Sequence, residues 1–146
     1  MITDEILRQV FEKYKTIAVY GMSRFPEKPA QWVPAYLLSK GYSIIPINPF
    51  TEGILGRKSY PDLKDIPERI EILEVFRSSY SEFEIVKMAL SRKKERGDID
   101  VIWFQEGIEN NDSRGLAEEA GITFIQDRCM VSEHKRLFPE RDRVGL

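Results

Sequence analysis

Five times along the 146 residues of this chain a short, mostly apolar run gives way to a loop and then to a helix-patterned stretch. The runs are Thr16-Ile17-Ala18-Val19-Tyr20, Ser43-Ile44-Ile45-Pro46-Ile47, Ile70 to Phe76, Val101-Ile102-Trp103-Phe104 and Ile122 to Ile125. Half-buried strands alternate apolar with polar residues, and these runs do not, so they read as strands covered on both faces. Strands of that kind, separated by helices, call for a parallel sheet. Pro46 suits the end of a strand better than its middle, which predicts a short or irregular second strand.

The intervening segments carry helix signals. Thr3 caps a first helix in which Ile6, Leu7, Val10, Phe11 and Tyr14 share a face, with Asp4 and Glu5 at its positive end. A second helix starts near Ala30 or Gln31, because Pro34 is acceptable only in a first turn, and ends before Gly41. A short helix falls around Asp62 to Asp65. Ser79-Tyr80-Ser81-Glu82 reads as a capping box for a helix through Arg96, with Gly97 as its stop and Tyr80, Phe83, Val86 and Leu90 as its core stripe. Arg92-Lys93-Lys94-Glu95-Arg96 reads as a solvated helix end whose cations suit the dipole. Further short helices fall near Ser113 to Ala120 and after Cys129. The fold expected is therefore α/β, a Rossmann-like three-layer arrangement with a five-stranded parallel sheet, one domain over residues 1–146. Right-handed crossovers favour strand order 3-2-1-4-5 and a ligand crevice at the carboxyl ends of strands 1 and 4.

Composition narrows the function classes. Lys and Arg total 22 against 24 Asp and Glu, a net charge of −2, which gives no global attraction to nucleic acid or anionic membrane. One Cys allows no intrachain disulfide, and one Cys with one His supplies no structural zinc site. No apolar run approaches membrane-spanning length and the acidic first segment is no signal peptide, so a cytoplasmic, reduced setting is expected.

The singular residues cluster just after the strands, where such sheets bind ligands. Gly21-Met22-Ser23-Arg24 follows the first strand, with Lys28 close behind and a helix opening. Gly21 allows a tight turn, Ser23 offers a hydroxyl, the helix start offers free N–H groups, and Arg24 and Lys28 offer charge: together, a phosphate site. The alternative is an ordinary turn with solvated cations. A dinucleotide loop wants three glycines and an acid after strand 2, whereas this chain has Gly21 alone and Asn48-Pro49, which argues against NAD or FAD. Phe76 and Arg77 end the third strand, as a cover for a base and a phosphate contact or simply as the last core residue and a surface cation. Gln105-Glu106-Gly107-Ile108 follows the fourth strand, with Gly107 a point of close approach. Cys129 follows the fifth strand, either as a packing residue or as a reactive thiol whose neighbour Arg128 favours the thiolate. His134 is expected at the surface of the last helix, and no Cys–His or paired-acid arrangement is legible.

From Thr16 to Leu137 the sequence resembles the small stand-alone CoA-binding proteins related to the succinyl-CoA synthetase α-subunit N-terminal domain (the YccU-like group). The likeness is carried by Ile17-Ala18-Val19-Tyr20-Gly21-Met22-Ser23, by Pro26 with Lys28-Pro29, and by Tyr36-Leu37-Leu38 with Gly41-Tyr42. It continues in Ile45-Pro46-Ile47-Asn48-Pro49, Val75-Phe76-Arg77, Trp103-Phe104-Gln105 with Gly107, and Asp127-Arg128-Cys129. The resemblance implies coenzyme A as ligand, with its pyrophosphate at Gly21 to Arg24 and the helix start beyond Lys28 and Pro29. It places Asn48, Pro49, Phe76 and Arg77 beside the adenosine and 3′-phosphate, with Ile47 a further candidate binding residue, and Gln105 to Ile108 along the pantetheine. The arm would then run toward Cys129, where a mixed disulfide with the CoA thiol is expected under oxidising conditions. The related synthetase phosphorylates a histidine and joins a second subunit. His134 in the terminal segment is the one His here, so a binding module is expected ahead of a CoA-dependent or thiol–disulfide enzyme using Cys129. An enzyme partner or a second copy, with Trp32 and Tyr36 as interface candidates, stays open.

Overall fold

A computed structural model describes residues 1–76 and 80–144. Five strands pair in parallel: β1 (Thr16–Tyr20), β2 (Ser43–Ile47), β5 (Ile72–Val75), β6 (Val101–Phe104) and β7 (Thr123–Ile125). Between β2 and β5 lie a two-residue hairpin, β3 (Gly53–Ile54) with β4 (Arg57–Lys58), and a 3₁₀ turn at Leu63–Asp65. The helices are α1 (Asp4–Lys13), α2 (Pro29–Ser39), α3 (Glu82–Arg96), α4 (Asn111–Glu119), α5 (Met130–Leu137) and α6 (Pro139–Val144).

The three-layer α/β architecture stands, but the strand order is corrected. It runs β2-β1-β5-β6-β7, so the third long strand lies between the first and the fourth rather than outside the second. Handedness permits either order, and Pro46 suits the one found. In an interior second strand the ladder would lack a donor on the side to which Pro46 turns. As an edge, β2 gives one side to β1, and its outer side meets Tyr60, whose N–H donates to the Pro46 carbonyl at 3.0 Å. β2 is also regular over five residues, neither short nor irregular. The strand order thus reverses between β1 and β5, and the crevice at the carboxyl edge opens there instead of between β1 and β6.

Alternate side chains build two cores. Ile17, Val19, Ile72, Val101, Trp103 and Ile125 face α1, α2 and α5. Ala18, Tyr20, Leu73, Val75, Ile102 and Phe104 face α3 and the turn before β5. At the centre of the first layer Phe11 lies within 5.2 to 6.4 Å of the rings of His134, Trp103, Phe138 and Tyr42. His134 is therefore no surface residue: it is buried, and its Nδ1 lies 2.8 Å from the Tyr36 hydroxyl. Burial also pushes the Tyr42 phenol up to about 12.

Helix ends follow their caps with local shifts. Thr3 accepts from Ile6 N–H, as read. The capping box of α3 is Ser81 with Glu84, two residues on from the one expected, and Ser79 lies outside the described residues. Asn110 caps α4 and starts it earlier than Ser113. Helix α2 begins at Pro29, and Pro34 sits in its second turn rather than its first. The missing Pro34 N–H would have met the Ala30 carbonyl, which accepts instead from Ser23 N–H at 3.0 Å. Arg92 is not solvated. It is buried against Asp98 at 3.0 Å and donates to the carbonyls of Leu63, Ile66 and Glu68, tying α3 to the turn before β5.

Candidate functional site

The carboxyl edge begins with the loop after β1. Gly21 takes a left-handed conformation, φ 81°, which turns the chain out of the strand while its N–H still reaches the Ile47 carbonyl. Three ties then fix the loop. Ser23 N–H is held by Ala30, Gln31 Nε2 donates to the Ser23 carbonyl, and Asn48 Nδ2 donates to the Met22 carbonyl at 2.8 Å. Asn48 Oδ1 in turn accepts from Phe50 N–H. Asn48, which stands where a dinucleotide site carries its acid, therefore fastens two loops together.

The cations of this loop share one aromatic ring. Arg24 lies 5.1 Å from the Phe25 ring centroid and Lys28 Nζ 5.6 Å from it, so one aromatic ring holds both. Neither has a carboxylate within salt-bridge distance among the described residues. Lys28 is the N-cap of α2 and no side chain caps that end, which leaves a positive helix terminus beside two uncommitted cations. Exposed aromatics ring the same edge: Phe25, Trp32, Phe50 and Tyr80, the last packed edge-on against Tyr20.

At the far end of the edge, the loop after β6 is clamped to the loop after β7. Gly107, φ 86°, donates its N–H to Asp127 Oδ1 at 2.8 Å, and Asp127 N–H donates to the Ile108 carbonyl. Asp127 itself takes a left-handed conformation. Gln105 is buried, and its Oε1 accepts from Met130 N–H at 3.1 Å, the first residue of α5. The Trp103 indole donates to the Arg128 carbonyl at 2.8 Å. These two bonds bracket Cys129, the N-cap of α5, which is 9% exposed and makes no side-chain capping bond. Arg128 turns to Glu133 at 3.5 Å, so its charge is not reserved for the thiol.

Between these ends sits a residue that sequence reading passed over. Glu74 is in the middle of β5, in register with Val19 on one side and Trp103 on the other. It is 0% exposed and neither carboxyl oxygen meets a donor. Burial pushes this carboxyl up to about 8, and the charge of an ionised Cys129 adds to the effect. The signal was present as an acid inside an otherwise apolar run, Ile72-Leu73-Glu74-Val75.

The structure thus brings Gly21, Met22, Ser23, Arg24, Lys28, Pro29, Ile47, Asn48, Pro49 and Phe76 to one end of the edge. Gln105, Glu106, Gly107, Ile108 and Cys129 fall at the other. Arg77 lies outside the described residues. The side chains of Met22, Ile47, Phe76, Gln105 and Ile108 are buried, so they shape the floor of the edge from beneath, whereas Arg24, Lys28, Pro49 and Glu106 are exposed upon it. Among the described residues, no helix is long and apolar enough to cross a membrane and no cluster of His, Cys, Asp and Glu suits a metal ion.

A family model described as a CoA binding domain matches residues 15–135. The uncharacterised protein YneT of Bacillus subtilis is 32% identical over 128 residues, 88% of this chain and 91% of its own length. A Thermus thermophilus structure, cell-free ID.343, superposes with a TM-score of 0.85 at 35% identity, covering 94% of this chain and all of its own. A hypothetical protein from Pyrococcus horikoshii OT3 does so at 0.85 and 39% identity, with 94% and 93% covered.

Proposed function

Because the chain belongs to the family of CoA binding domains, we propose that it is a small stand-alone module that binds coenzyme A along the carboxyl edge of its sheet. The observation that carries this reading is the pair Arg24 and Lys28, held on Phe25 at an uncapped helix start beside the point where the strand order reverses. That end suits the pyrophosphate, the exposed aromatics suit the adenine, and the arm runs over β5 and β6. Its thiol then comes to Cys129. With CoA disulfide the reaction is exchange: the Cys129 sulfur bonds one CoA sulfur, the disulfide breaks, and the other CoA leaves as a thiol once protonated. A thiol–disulfide enzyme is the second reading, favoured by the placing of Cys129 at a helix N-cap; turnover lost in Cys129→Ala would select it.

Titration calorimetry of the ligand-stripped protein is the test. CoA is expected to bind at micromolar concentration or tighter (about −8 kcal/mol or better), and Arg24→Ala to weaken it about tenfold. Equal affinity for CoA, ATP and NADH would reject coenzyme A as the ligand.

A further inference from the structure

A carboxyl group sealed from water with no hydrogen-bond partner is costly, and its presence calls for a reason. Glu74 is such a group, and the fold shows what it is next to. Along β5 the side chains alternate, so Glu74 shares a face with Ile72 and Phe76, and both belong to the same buried cluster as Cys129 and Met130. Its register neighbour Trp103 holds the Arg128 carbonyl, one residue before Cys129. Gln105, two residues further along β6, holds Met130 N–H, one residue after it. The sheet carrying Glu74 therefore also fixes the backbone that presents the thiol.

We propose that Glu74 is the proton acceptor for Cys129: as the thiol attacks a disulfide, the buried carboxylate takes its proton and keeps it in the adduct. In the balanced step, the Cys129 S–H proton passes to a Glu74 oxygen and the sulfur forms a bond to one sulfur of a small disulfide. The disulfide bond breaks, and the other sulfur leaves as a thiolate. A carboxylate and a thiolate in one dry layer oppose each other, and proton transfer leaves a neutral acid beside a neutral disulfide. The raised position of the Glu74 carboxyl suits the role, because a base that titrates near 8 is present as carboxylate in useful amounts just above neutrality. The other ionisable groups of this layer are turned elsewhere. His134 meets Tyr36, the Tyr42 hydroxyl donates to the Phe11 carbonyl, and Arg128 pairs with Glu133. The inference rests on the coenzyme A reading only for the identity of the natural disulfide.

The test uses 5,5′-dithiobis(2-nitrobenzoate), an aromatic disulfide that needs no CoA site. Because Cys129 is the one cysteine, the thionitrobenzoate released reports that residue alone. The rate in the unaltered protein is expected to rise through the ionisation of Glu74, about 8. Glu74→Gln should react roughly tenfold or more slowly at pH 8, with its rise moved to higher pH. Glu74→Asp, which keeps a carboxylate, should retain a rise of the original shape. Circular dichroism of each variant checks that the fold is kept. A Glu74→Gln protein that reacts as fast as the original, or faster, with the same pH profile overturns the proposal. Loss of CoA binding in the calorimeter with this profile intact would instead overturn the ligand reading alone.

Discussion

Arg92 and Glu74 are both ionisable residues sealed inside this protein, on opposite faces of one sheet, and the fold treats them in opposite ways. Arg92 has Asp98 at 3.0 Å and three backbone carbonyls, and Asp98 also accepts from Ile70 N–H. Every polar atom of that pair has a use in joining α3 to the turn before β5. Glu74 has no donor and lies on the face of the apolar layer that also holds Cys129. The contrast separates two reasons for burying charge. A fully bonded pair fixes the path of the chain, whereas an unbonded carboxyl under a ligand edge is a reagent.

The largest expected effect breaks the structural half of the comparison. Arg92→Met leaves Asp98 buried without its cation and the Glu68 carbonyl without the donor it has from Arg92, so unfolding in denaturant should show a loss of about 3–5 kcal/mol. The reverse should hold for Glu74, and pH reveals it. Its carboxyl is raised from 4.5 to about 8, so between those values the unfolded chain has released a proton that the folded chain still holds. Stability should therefore fall as pH rises through that window, by about 1.4 kcal/mol per pH unit, and Glu74→Gln should remove that slope. A slope equal in both proteins would mean that Glu74 is ionised without penalty. A smaller effect comes from Trp103→Phe, which strips the donor from the Arg128 carbonyl. It should cost about 1 kcal/mol in thermal or denaturant unfolding and loosen the presentation of Cys129. Arg24→Ala should leave stability within about 0.5 kcal/mol, since Arg24 is exposed and outside the core, and on the proposed function it should weaken CoA binding.

Much of this was legible in the chain. The five runs and their helices followed from mostly apolar patterning, and the loop after β1 from Gly21 with its nearby cations. The strand order was not read: the expected order put the strand carrying Pro46 inside the sheet, whereas the structure puts it at an edge, where its missing donor is harmless. What escaped reading depends on contacts between distant segments. Arg92 looks like one cation in a basic helix end, and only the fold brings Asp98 and three carbonyls around it. His134 lies in a polar stretch, and its burial follows from α5 packing on Phe11 and α2. Gln105 was read as a contact along the ligand arm, yet its side chain holds the start of α5. Glu74 was passed over because Glu71 and Glu74 do not spoil a mostly apolar run, although the middle of a central strand has nowhere to solvate an acid.

The most direct test is whether the two ends of the carboxyl edge act as one site. Protein incubated with CoA disulfide and weighed intact is predicted to gain one CoA, at Cys129, reversibly with dithiothreitol, and more slowly in Arg24→Ala than in the unaltered chain. No adduct, or one formed at the same rate in both proteins, would show that the cations at Arg24 and Lys28 and the thiol at Cys129 do not serve a common ligand.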